Sequence, residues 1–259
     1  MIILGLIGFI AVGMALGLLG GGGSILAVPV LVHVMGLPAK VAVPMSLPVV
    51  GIAAAAGAWA RWRKGQLRLD TVVLFAACAM TASYLAARVG TQIADRPRLI
   101  LFAAVMLVAA SVMWHRSRRQ PVQAAAPDAP PIVAAPVKVI PAALAVGSLT
   151  GLVGVGGGFL IVPALAGVLG LPMAAATATS LAVIALNTAA AGAGWIGRVS
   201  LDWQTTAAVT VAALIGMAIG TRLAPRFAPR TLTRAFAILL LVLATFMLWQ
   251  EFRTPSLVT

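Results

Sequence analysis

The stretch "GLLGGGGSILAVPV", Gly17 to Val30, sets four consecutive glycines inside one of the most apolar regions of the chain. Each glycine in a helix interior costs about 1 kcal/mol relative to alanine, so a helix running through Gly20–Gly23 should break there. A continuous helix over residues 1–35 would be about 50 Å long, against a hydrocarbon core of about 30 Å. The chain is therefore expected to turn at the glycines, leaving residues 25–35 as a half-length return helix whose N-terminus is buried. That end carries unpaired backbone N–H groups and a partial positive charge, which suits an anion. Non-helical backbone at membrane depth is tolerated where it lines a cavity. A tight helix crossing with no ligand is the plain structural alternative.

Composition supports the membrane setting. The chain is 62% hydrophobic and 9% charged, with a mean hydropathy of +1.09, far more apolar than a soluble domain. The first apolar run lacks a basic leader and continues into glycine where a cleavage site would stand, so it is expected to stay in the mature protein. A single cysteine, Cys78, excludes an intramolecular disulfide and a thiolate metal cluster and reads as a small buried apolar residue. The net charge of +13 sits in short clusters at the ends of apolar segments, which marks topology rather than nucleic-acid binding.

The opening stretch has a partner at a constant offset of 134 residues: "GLLGGGGSILAVPVLVHVMGLPAKVAVPMSL" (Gly17–Leu47) lies over "GLVGVGGGFLIVPALAGVLGLPMAAATATSL" (Gly151–Leu181). The glycine runs, Pro29 and Pro163, the "GLP" at Gly36 and Gly170 and the "SL" at Ser46 and Ser180 coincide. Such duplication is the usual construction of secondary transporters. Apolar runs fall near 1–19, a short 25–35, 41–60, 70–88 and 98–115, then 137–153, a short 159–169, 175–196, 203–221 and 233–250. The expected organisation is a first transmembrane repeat over 1–115, a Pro/Ala-rich linker over 116–137 outside the bilayer, and a second repeat over 138–259. The six tryptophans fall near segment ends, where an interfacial belt places them.

Charge chooses between topologies. If each copy is a glycine-broken hairpin plus three spans, the copies are inverted, and three basic clusters share one side: Arg61, Arg63, Lys64 and Arg68; Arg116, Arg118, Arg119 and Lys138; Arg222, Arg226, Arg230 and Arg234. Those are 12 of the 18 basic residues, and the positive-inside rule favours that arrangement. The fold class read from the sequence is an all-α polytopic membrane protein of two such repeats, inverted with respect to each other. Their two breaks would then meet from opposite sides.

No carboxylate falls inside an apolar segment, which argues against a sodium site or an acidic proton relay. Asp70 and Asp202 directly precede helices and read as N-caps. His33, on the first return helix, is the candidate for proton coupling, with packing as the plainer role. Arg88 and Arg222 sit at helix C-termini, where snorkelling explains them and gating is the sharper alternative. Hydroxyls follow each return helix: Ser46 in "PMSLP", and Thr177, Thr179 and Ser180 in "TATSL", with Asn187 beyond. With Gly21, Gly22, Gly23 and Ser24 from one break and Gly156, Gly157 and Gly158 from the other, they form the expected substrate site. It would recognise a small oxyanion through neutral donors and backbone N–H groups, without a buried cation. No Ser/His/Asp set, H-E-x-x-H or P-loop lysine is present, so no enzyme, metal site or cofactor is expected.

The paired glycine motifs, each followed by "GLP" and in the second copy by "ATATSL", resemble the duplicated signature of the TauE/SafE sulfite exporter family of bacterial permeases. The resemblance covers nearly the whole chain outside the linker. It implies a multi-pass protein of the bacterial cytoplasmic membrane that moves small sulfur-containing or organic anions such as sulfite, thiosulfate or sulfonates. The first copy departs from the pattern, with "VAVPMSLP" where the second has "AATATSLA". An anion channel and a membrane-embedded enzyme are the rival readings. The expected partners are the small anion and the lipid bilayer, with a homo-oligomer left open and no nucleic acid.

Overall fold

The computed structural model describes residues 2–90, 95–119, 136–153, 158–195 and 201–253. Among them every regular element is helical: α1 (Ile2–Leu19), α2 (Ser24–Pro29), α3 (Ala39–Trp62), α4 (Leu69–Gly90), α5 (Asp95–Arg119), α6 (Pro136–Val153), α7 (Gly158–Pro163), α8 (Met173–Trp195), α9 (Trp203–Leu223) and α10 (Pro229–Arg253). Among the described residues six stretches are long and apolar enough to cross a membrane, the first of them Ile2–Val34.

That first stretch is not one rod. Gly20 adopts φ +71°, the left-handed conformation that ends many helices, and Gly20–Gly23 make one tight 3₁₀ turn before α2. The chain then doubles back. A methyl group at Gly8 would stand 2.8 Å from Val30 Cγ1, one at Gly5 would stand 2.6 Å from Met35 Cγ, and one at Gly23 would strike the backbone of Leu16. The half-length return expected from the sequence is therefore present.

Each return helix ends the same way. After Pro29 and Pro163 the backbone loosens into a π turn, Val30–Val34 and Ala164–Val168. Met35 N–H donates to Val30 O at 3.2 Å, and Leu169 N–H to Ala164 O at 3.0 Å. The "GLP" motifs close it: Gly36 and Gly170 take φ +72° and +74°, and Leu37 and Leu171 return their N–H to the carbonyls of Leu31 and Leu165. The motif is a helix stop in which glycine supplies the positive φ and proline opens the next helix.

Helices pack through small residues. Added methyl groups at Gly13, Gly17, Gly216 and Gly220 would strike backbone atoms across the α1–α9 seam, and one at Gly147 of α6 would strike the Ala79 carbonyl of α4. Gly13 and Ala213 stand at the same 134-residue offset from Gly147 and Ala79. On α3, Gly51 meets Thr188 of α8 while Gly57 meets Leu181, so α3 and α8 run antiparallel. At the start of α10, Arg230 Nε donates to Ser117 O at the end of α5 at 2.7 Å, so these two also run antiparallel. Fully buried Phe9, Phe75, Phe159 and Phe236 anchor the core, while Ile3, Val73, Val211 and Val242 face outward as a lipid-facing wall requires.

Asp202 caps α9: its carboxylate accepts from Gln204 N–H at 3.0 Å and from the Thr205 hydroxyl. Those bonds, the Thr205 hydroxyl first, hold its pKa below the ordinary carboxylate value. Asp70 differs from the expectation. α4 starts at Leu69, with Val72 N–H donating to Arg68 O, and this puts Asp70 inside the first turn, near the helix dipole rather than at the cap.

Candidate functional site

The first glycine turn is seated on the second copy. An added methyl at Gly21 would strike Gly158 O at the start of α7, and one at Gly158 would stand 2.8 Å from Ser24 Oγ. Gly20 lies against α8, its methyl position 2.7 Å from Ser180 Oγ and 3.0 Å from Thr177 Cα, and Gly22 lies against Phe236 of α10 at 2.6 Å. Only glycine permits backbone to meet backbone this closely. Gly156 and Gly157 lie outside the described residues.

Of the serines expected in the site, Ser46 and Ser180 are buried and Ser24 is half-buried. Ser24 Oγ donates to Gly21 O at 2.7 Å, Ser180 Oγ to Thr177 O at 2.9 Å and Ser46 Oγ to Val43 O at 2.7 Å. Two polar atoms on α8 have no partner: Thr179 Oγ1, on a residue with 0% exposure, and Asn187 Oδ1. A buried polar atom left unpaired costs about 1–3 kcal/mol, so each such atom calls for an explanation.

A cation also stands in the interior, hydrogen-bonded to Thr177, one of the residues of the expected neutral site. Arg61, near the end of α3, is 5% exposed. Its guanidinium donates to Thr177 Oγ1 at 2.5 Å and to Gly17 O at 2.5 Å, tying α3 to α8 and to the last turn of α1. Counted with Arg63 and Lys64, it reads as one more surface anchor. Helical phase was the missed signal, because Ala54, Ala58 and Arg61 follow one another at i, i+4 and i+7 and all three are buried.

The profile of the family described as "Sulfite exporter TauE/SafE" matches residues 4–247. The chain belongs to the TauE/SafE family. It is similar to a "Probable membrane transporter protein" of Xylella fastidiosa strain 9a5c, 31% identical over 246 residues, covering 93% of this chain and 92% of the relative. A protein of the same description from strain Temecula1 is 35% identical over 177 residues, which span 67% of this chain and 66% of that relative. No solved structure matches. This TauE/SafE protein is thus a multi-pass bacterial membrane transporter.

The remaining candidates of the TauE/SafE chain lie apart from the junction. His33 is exposed, its ring 6.3 Å from that of Phe246 and its Nδ1 3.2 Å from Pro29 O. Arg222 is exposed in the last turn of α9, as a snorkelling residue is. Arg88 belongs to the last turn of α4, and its side chain lies outside the description.

Proposed function

We propose that the protein is a permease for a small anion, a sulfur oxyanion or organosulfonate, with Gly21–Gly23, Ser24, Ser46, Gly156–Gly158, Thr177, Thr179, Ser180 and Asn187 forming its path. The carrying observation is the junction: the first glycine turn, the start of α7 and the Thr177–Ser180 turn of α8 meet inside an apolar core, and the same helix carries two buried polar atoms without partners, Thr179 Oγ1 and Asn187 Oδ1. Hydroxyl donors and backbone N–H groups suit an anion that must bind and then leave. The family's description as sulfite exporters points to the same substrate class.

The same reading holds that the repeats 1–115 and 138–259, joined by the linker 116–137, are inverted. The antiparallel run of the equivalent helices α3 and α8 supports it, as does that of α5 and α10. Purified protein in liposomes, given sulfite, thiosulfate, sulfate and a sulfonate under imposed pH and voltage gradients, tests the transport reading. Saturable flux with counterflow is expected. Flux that never saturates would make the protein a pore, and transport of a cation with none of these anions would overturn the anion reading.

A further inference from the structure

A cavity of about 220 Å³ opens beside Arg61, between the ends of α3 and α9 and the starts of α8 and α10. Its polar wall consists of Arg61, Lys64, Gln66, Thr177 and Thr221, and the rest is apolar or proline. No carboxylate is among its described lining residues. Arg61 uses two of its five N–H groups, both on neutral acceptors, and its buried Nε has no partner. Buried charges in proteins are paired, and a hydroxyl and a carbonyl do not neutralise a guanidinium. The helix-end charge near Gly17 offsets about half a unit at most.

We propose that this cavity is an anion-binding site in which Arg61 and Lys64 receive a small oxyanion at the mouth of the transport path. The proposal rests on the anion-permease reading and adds a cation to it. A guanidinium with N–H groups left over can donate to two oxygens of a sulfite, sulfate or sulfonate, a match that a halide does not offer. At about 30 Å³ per water the cavity has room for about seven, or for one such anion partly hydrated. An anion here competes for the guanidinium with Gly17 O, three residues before the Gly20 turn, so occupancy bears directly on the break. A purely structural clasp would explain the two bonds but neither the idle Nε nor the basic, acid-free wall.

The test titrates purified protein in detergent with sodium sulfite and sodium sulfate, against sodium chloride at matched ionic strength, and follows the same variants in liposome flux. Arg61→Gln keeps an amide donor for Thr177 or Gly17 O but removes the charge, and should raise the sulfite dissociation constant about 10- to 100-fold, the loss of one charge-assisted hydrogen bond. Arg61→Lys should recover part of it. Folded Arg61→Gln protein that binds sulfite like the wild type overturns the site and leaves the permease reading standing. Wild-type protein that neither binds nor carries these anions sinks the permease reading itself. If Arg61→Gln fails to reach the membrane, Lys64→Glu decides: at least a tenfold weaker binding supports the site, and unchanged binding overturns it.

Discussion

α3 and α8 are the same helix of the repeat, packed antiparallel, yet they carry opposite equipment. At the positions where α8 has Thr177, Thr179 and Asn187, α3 has Val43, Met45 and Ala53. Conversely Arg61 of α3 corresponds to Trp195 of α8. The clasp between Arg61 and Thr177 therefore has no polar twin, because its mates are a tryptophan and a valine. Pro44 and Pro48 inside α3 remove two backbone donors and favour bending, while α8 has alanine at both places. Two equivalent stretches of sequence thus pack against each other, and substitution has made one of them charged and the other hydroxylated.

The contrast can be broken most completely by topology. Cysteines at Arg63, Arg118 and Arg226 in a Cys78→Ala background should all be labelled from the cytoplasm and none from outside, and outside labelling at any one would end the antiparallel, inverted arrangement. Next in size is the turn itself. Gly20→Leu should reduce transport more than about 100-fold with protein still in the membrane, since positive φ and contact with Ser180 leave no room. Gly65→Ala, at φ +67° with open space around it, should leave transport near normal.

A smaller difference separates the hydroxyls. Thr179→Val should weaken the apparent affinity for sulfite about three- to a hundredfold if its unpartnered hydroxyl meets substrate, whereas Ser46→Ala should cost less than about threefold because that hydroxyl is spent on Val43 O. Equal effects would erase the distinction between α8 and α3. Smallest is the cap. Asp202→Ala should lower thermal stability more than Asp70→Ala, since only Asp202 accepts the cap bonds. Its lowered pKa means the contribution is complete at neutral pH and is lost as pH falls below the ordinary aspartate value, about 3.9, and through the lowered one. Melting curves of both variants between neutral and strongly acid pH would show it.

Much of the architecture is legible because local chemistry writes it. Four glycines cannot continue a helix, and "GLP" encodes a helix stop twice, so the return helices and their ends follow from residue type alone. Arg61 was not legible in that way. Its burial depends on α8 and α1 arriving from remote parts of the chain, and composition near a helix end makes every arginine look like an anchor. His33 shows the reverse: an intramembrane histidine attracts a functional reading, and its helix turns it outward, its ring 6.3 Å from that of Phe246, a placement that residue type does not foretell. Asp70 and Asp202 look alike as "LD" pairs, and only the hydrogen bonds tell a cap from a first turn.

The glycine seam between α1 and α9 also has a consequence for how the protein is made. The backbone face of Gly13 and Gly17 is covered by residues near 213–221, about 200 positions later in the chain. At a synthesis rate of about 5–20 residues per second, the first helix waits roughly 10–40 seconds in the bilayer before its partner exists. α6 needs no such wait, because α4 precedes it. The two glycine seams are therefore completed at different times: the Gly13/Gly17 face of α1 stays open until α9 is made, while Gly147 of α6 finds Ala79 of α4 already in place.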